Sequence, residues 1–114
     1  MLSNFPKSVL VLALLAASGC ASVGGRDAVM EDARVSVNAA RSNPMVVSYA
    51  PAELNQAVAT MRQADDLAAR GGRTREVDQL AMLAGQRAGL AQEAARARSE
   101  EAAIMDRRRA NDAQ

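Results

Sequence analysis

Alanine sets the terms on which this chain can fold. From Cys20 onward the sequence holds 44 apolar residues, and 23 of them are alanine. A methyl group withdraws little surface from water, so a chain built this way cannot fill a thick core. Alanine is also the strongest helix former, because it loses no side-chain entropy in the helix. The larger apolar residues of this region are eight Val, five Leu, five Met, Ile104 and Tyr49. The expected fold is all-α: an N-terminal signal helix, then an antiparallel helical hairpin or three-helix bundle with a long C-terminal helix and a thin core.

The helices can be placed from the pattern of apolar and capping residues. Asp27 is the expected N-cap of a first helix that runs to about Ser42 and buries Val29, Ala33, Val37 and Ala40. Asn43-Pro44 ends it, because the residue before proline avoids the helical region. Met45, Val46 and Val47 read as a short apolar link. Pro51 stands at a first helical position, with Glu53 in the positively poled first turn. The second helix is expected to bury Leu54, Ala57, Val58, Met61, Ala64 and Ala68. It stops at Arg70, where Gly71-Gly72 supplies a C-cap.

Thr74 is the expected N-cap of a third helix that continues to about Asp112, although Val77 replaces the Glu of a full capping box. Val77, Leu80, Ala84, Ala91 and Ala94 form its inward stripe, with Leu83 and Leu90 beside it. Met30, Met61 and Met82 read as core filler. Arg62 with Asp66, Asp66 with Arg70 and Arg96 with Glu100 are expected i,i+4 pairs, worth ~0.2–0.5 kcal/mol each. At ~1.5 Å per residue the second helix is about 30 Å long and the third about 57 Å. A reversal at residues 71–73 then leaves roughly the last twenty residues of the third helix without a partner from the second. The stretch from Arg96 onward is expected to project as a solvated helix, because Ile104 and Met105 alone make a poor seam. The chain is expected to be a monomer, with self-association through this C-terminal helix as the other possibility.

The N-terminal part carries an address. Lys7 precedes nine consecutive apolar residues, Val9 to Ala17, and then come Ser18, Gly19 and Cys20. The apolar run is about half of the ~20 residues that a spanning helix needs, which fits a cleaved secretory signal. Ala17-Ser18-Gly19-Cys20 looks like a lipobox, in which the cysteine sulfur is acylated and the chain is cut between Gly19 and Cys20. Residues 1–19 are then the signal peptide, 20–26 a lipidated tether and 27–112 the Ala-rich helical domain. Each buried CH₂ of an acyl chain contributes ~0.8 kcal/mol, so two or three chains hold the protein to a membrane. Ala21, rather than Asp, follows the cysteine. By resemblance to the Gram-negative sorting rule, this favours the outer membrane, with the domain facing the periplasm.

The segment Tyr49-Ala50-Pro51-x-x-Leu54-x-x-Ala57, followed by ADDLAARG and alanines at helical spacing, forms a possible structural motif. Together these residues resemble the proteobacterial lipoprotein family of domain of unknown function 4398, over roughly Asp27 to Ala103. The resemblance implies a helical unit that occurs alone behind a lipobox or ahead of an OmpA-like peptidoglycan-binding domain. With the chain ending at Gln114, no such second domain is expected. No biochemical activity comes with the resemblance. Tyr49, the one large side chain at the entry to the second helix, is expected to pack over the helix junction.

Several chemistries are excluded by composition. There is no histidine and one cysteine, so Ser-His and Cys-His pairs and the usual zinc ligand sets cannot form. Asp65-Asp66 and Glu100-Glu101 are helix neighbours whose side chains diverge by about 100°, so they read as a solvated face. A net charge of +1 gives no electrostatic footprint for nucleic acid. Arg107-Arg108-Arg109 suits a helix C-terminus. From Cys20 onward there is no lysine, which rules out attachment to the cell wall through a C-terminal lysine amine. The expectation is a protein that is not an enzyme and needs no cofactor or metal. It would be a structural or adaptor module with an unknown envelope partner. The alternative is a TPR-like helical groove that binds a peptide or partner helix.

Overall fold

The computed structural model describes residues 25–72 and 74–114, and every regular element among them is a helix: α1 (Gly25–Arg41), α2 (Pro44–Tyr49), α3 (Pro51–Gly71) and α4 (Arg75–Asp112). None of these helices is long and apolar enough to cross a membrane. The signal, Gly19 and Cys20 lie outside the described residues.

Three side-chain relationships fix the directions of the helices. Arg34 on α1 pairs with Asp65 on α3 at 2.7 Å, and Arg87 on α4 reaches Thr60 on α3 at 2.6 Å. Nearer the other end of α3, Glu53 meets Arg98. Residue numbers on α3 therefore fall as those on α4 rise, so the two run antiparallel. α1 runs with α4: Gly85 faces Ala33, and further along Ser99 lies 3.5 Å from the Met45 sulfur. The result is a three-helix bundle with the short α2 folded across one end.

The core follows a 3.5-residue period. Met30, Ala33, Val37 and Ala40 are buried on α1, and Leu54, Ala57, Met61 and Ala64 on α3, at spacings of 3, 4 and 3. On α4 the buried row is Val77, Ala81, Ala84, Ala88, Ala91 and Ala95, at 4, 3, 4, 3 and 4. Alternating threes and fours keep one seam facing its partners along the whole helix. Side chains this small let backbones approach toward the lower end of the ~8–10 Å range of helix packing.

The row differs from the expected one. Val29, Val58, Ala68, Leu80 and Ala94 pack only partly into the core, and Met30 takes the place assigned to Val29. Met82 is 56% exposed, and Leu83 and Leu90 are exposed as well. Large residues weigh heavily in a hydrophobic pattern, yet the close contact selects the methyl groups one position away.

Helix ends also depart from expectation. α1 begins at Gly25, so Asp27 lies in its first turn rather than at the cap. The apolar link at 45–47 is part of helix α2, because Asn43 both ends α1 and caps α2: its side chain accepts from the Met45 N–H at 3.0 Å. Pro44 occupies the N1 position, where a missing N–H costs nothing. α3 extends through Gly71 and ends at Gly72, whose φ of 75° is closed to other residues without strain. Thr74 caps α4 as expected, accepting from the Val77 N–H at 3.3 Å.

The uncovered part of α4 is shorter than expected. α2 and the Arg98 contacts extend the bundle beyond Arg96, and Ala102 is still half-buried. From Ala103 to Asp112 every residue is exposed.

Candidate functional site

The Tyr49-Ala50-Pro51 segment builds the corner between α2 and α3. Ala50 serves both helices. Its N–H donates to the Val46 carbonyl at 2.9 Å, and its own carbonyl accepts from the Leu54 N–H at 3.0 Å. Its backbone, at φ −138° and ψ 48°, turns the chain without a side-chain cap. Pro51 follows at N1, where its fixed φ starts α3 and no donor is lost. The Ala50 side chain is fully buried, as are Val46 beneath it and Ala57 two turns on, while Leu54 is 8% exposed. A small residue at 50 is what allows the corner to close on α4.

Arg98 locks this corner from α4. Its Nη1 donates to the Tyr49 carbonyl at 2.7 Å and to Glu53 Oε2 at 3.1 Å, while Nη2 donates to Glu53 Oε1 at 2.5 Å. A planar guanidinium can make such a two-pronged contact, and lysine cannot. The hydrogen bond from Arg98 holds the Glu53 carboxyl below the usual carboxylate range, and the Glu53 backbone N–H adds to this. In return, Glu53 raises the affinity of the guanidinium for its proton.

The expected motif residues Tyr49, Ala50, Pro51, Leu54 and Ala57 are thus brought together, though with a different division of labour. Tyr49 remains 39% exposed, so the interior of the junction is made by Val46 and Ala50. What Tyr49 contributes to α4 is its carbonyl.

Sequence reasoning missed the second polar tie. Thr60 is 2% exposed; its hydroxyl donates to the Gln56 carbonyl at 2.8 Å and accepts from Arg87 at 2.6 Å. Thr60 lies between Ala57 and Ala64 on the buried face, and that position was the available signal. The ion pairs differ too. Arg62–Asp66, Asp66–Arg70 and Arg96–Glu100 do not form. Between helices the structure has Arg34–Asp65 and Arg98–Glu53, and within helices Arg34–Glu31 and Arg109–Asp106. Asp65 rather than Asp66 faces α1, which decides the matter.

Open grooves lie between the helices among the described residues. A mostly apolar one, about 300 Å³, runs between α1 and α4 along Val29, Ala33, Ala81, Met82 and Gly85. A smaller polar one borders Arg34 and Asp65, and a third separates Leu67 from Leu80. Among the described residues no three His, Cys, Asp or Glu side chains converge as metal ligands would.

These features define a class: a small all-α unit with an alanine seam, an arginine-locked corner and an exposed terminal helix. A family model described as Domain of unknown function (DUF4398) matches residues 28–107, and the chain belongs to that family. No curated protein and no solved structure matches the chain.

Proposed function

We propose that this chain is an outer-membrane lipoprotein of a Gram-negative envelope, held by acyl chains on Cys20. Its periplasm-facing helical unit acts there as a structural or adaptor module, without catalysis. The order of parts carries the reading. The lipobox residues Ala17 to Cys20 precede Gly25, the first residue of α1, by a few positions. α1 and α4 point the same way, so the exposed stretch from Ala103 to Asp112 lies at the end opposite Gly25. A unit held at one end and presenting a bare helix at the other suits a spacer or an adaptor.

The test has two stages. Labelling cells with a radioactive fatty acid should mark the wild-type protein in the outer-membrane fraction. The Cys20→Ser variant should be unlabelled and either uncleaved or soluble. Normal labelling or normal fractionation of that variant would falsify the anchor. Crosslinking in vivo from residues 103–112 then addresses the role. One envelope protein captured in fixed stoichiometry supports the adaptor, whereas a range of extended peptides supports the TPR-like groove.

A further inference from the structure

The polar groove between α1 and α3 gathers cations that the fold does not balance. Arg34 and Arg41 on α1 and Arg62 on α3 line it, with one carboxylate, Asp65, among them. Arg34 is already matched, at 2.7 Å from Asp65 and 4.0 Å from Glu31. Among the described residues neither Arg41 nor Arg62 pairs with a carboxylate. The last turn of α1 accounts for Arg41, since a cation there meets the negative end of the helix dipole. It does not account for Arg62, which stands in the middle of α3. Asp66 is one turn away on the same helix and borders the groove toward α4, yet Arg62 borders the groove that holds two other guanidiniums.

The helix directions set the levels of these side chains. α1 runs with α4 and α3 runs against both, so the step from Asp65 back to Arg62 goes the same way as the step from Arg34 to Arg41. Arg41 lies ~10 Å beyond Arg34 along α1, and Arg62 lies ~4.5 Å beyond Asp65 along α3. Arg62 therefore falls between the levels of the two α1 arginines, near Asn38, which borders the same groove. Beneath them the floor is Val37 and Met61, both buried. The groove encloses about 170 Å³. That is the space of roughly six waters, room for a small anion and not for a helix.

The donors select the anion. One guanidinium fork satisfies a planar carboxylate, as Arg98 does for Glu53. Two unmatched guanidiniums on facing walls, with an amide between them, call for about two negative charges and for oxygens that leave a single plane. A phosphate monoester carries about −1.5 to −2 at neutral pH and three acceptor oxygens. We propose that the α1–α3 groove binds a phosphate monoester, held between Arg41 and Arg62 and oriented by the side-chain amide of Asn38. Arg34 stays with Asp65 and closes the groove at one end. The site goes beyond the spacer or adaptor reading and is independent of the anchor.

Titration calorimetry of the full chain in mild detergent, with sodium chloride holding the ionic strength, tests this. Glycerol phosphate serves as the dissolved monoester, and phosphatidic acid in the same micelles as the lipid one. Saturable binding with Kd at or below about 1 mM is expected. Binding of glycerol phosphate assigns a soluble ligand, and binding of phosphatidic acid alone assigns a lipid headgroup; either upholds the site. Arg41→Gln and Arg62→Gln should each weaken binding about tenfold. Both residues are exposed, so the fold is not at stake. Arg107→Gln, near the far end of α4, should change nothing. Asp65→Asn should tighten binding by releasing Arg34 toward the groove. In NMR spectra the Nε–H signals of Arg41 and Arg62 should move on binding while that of Arg98 stays. The proposal fails if neither monoester binds below about 10 mM, or if acetate binds as tightly as glycerol phosphate. It fails equally if Arg107→Gln weakens binding as much as Arg62→Gln, or if Asp65→Asn weakens it.

Discussion

Arg98 and Glu53 meet prong to prong across 45 positions of sequence, with hydrogen bonds of 2.5 and 3.1 Å. Because Arg98 also holds the Tyr49 carbonyl, one side chain on α4 fastens the end of α2 and the start of α3 together. Arg98→Lys keeps the charge but loses the fork. Amide exchange over residues 46–54 should rise about tenfold in that variant, while α4 up to Ala95 is little changed. Hydrogen-exchange mass spectrometry reads this directly, and a uniform rise along the whole chain would contradict a local lock.

Acid should open the same corner. Glu53 binds its proton less readily in the folded chain than in the unfolded one. Its contribution is therefore fully present above the unfolded carboxylate value and is lost as pH falls through the lower folded value. Arg98 is shifted upward and keeps its charge throughout that range. Exchange over residues 46–54, corrected for intrinsic pH effects, should stay flat down to the usual carboxylate range and climb below it. Glu53→Gln should remove the climb.

Gly71 and Gly72 should answer oppositely to alanine. Gly71 is helical with open space around it, so Gly71→Ala should stabilise by roughly 0.5–1 kcal/mol. Gly72 has φ 75° and ψ −162°, a region essentially reserved for glycine, so Gly72→Ala should cost about 1–3 kcal/mol. Urea denaturation of the two variants side by side is sufficient. Equal effects would mean that the α3–α4 turn is not built as described.

The alanine seam should tolerate no bulk. Ala88 is fully buried, and Ala88→Leu should destabilise by about 1–3 kcal/mol through forced displacement of α3 or α1. Leu90, 59% exposed on the same helix, should change to alanine within about 0.5 kcal/mol. Denaturant midpoints for the pair separate the seam drawn here from the more leucine-rich stripe that hydropathy suggests.

Thr60→Val tests the buried hydroxyl at nearly constant volume. It removes the acceptor for Arg87 and a donor to Gln56, and the expected loss is about 1 kcal/mol. Chemical denaturation at neutral pH measures it, and an unchanged midpoint would show that Arg87 finds water instead at no cost.

How much of this was legible in the sequence depends on how far apart the cooperating residues lie. Thr74, Pro51 and the glycine pair act on backbone within a few positions, so their roles could be read directly. The helix content followed from alanine. α2 was harder, since Met45-Val46-Val47 has no period of its own and its helix depends on the Asn43 side chain. On α4 Val77, Ala84 and Ala91 could be read from the pattern, but Leu80 and Ala94 stood in for their buried neighbours Ala81 and Ala95, and Ala88 was missed beside the larger Leu90. Arg98 left no local trace at all, for its partners are fixed by the bundle's register rather than by spacing. Thr60 was passed over as polar although it stands among buried alanines.

The shared direction of α1 and α4 has a mechanical consequence. A pull applied between Gly25 and the far end of α4 acts along the length of their contact. The helices would have to slide past one another, straining every layer from Met30 to Ala40 together, instead of peeling apart one contact at a time. Forced unfolding is governed by the barrier along the pulled path, and shear makes that barrier high even when equilibrium stability is modest. A thin core of methyl groups can in this way resist a pull along the bundle better than its size suggests.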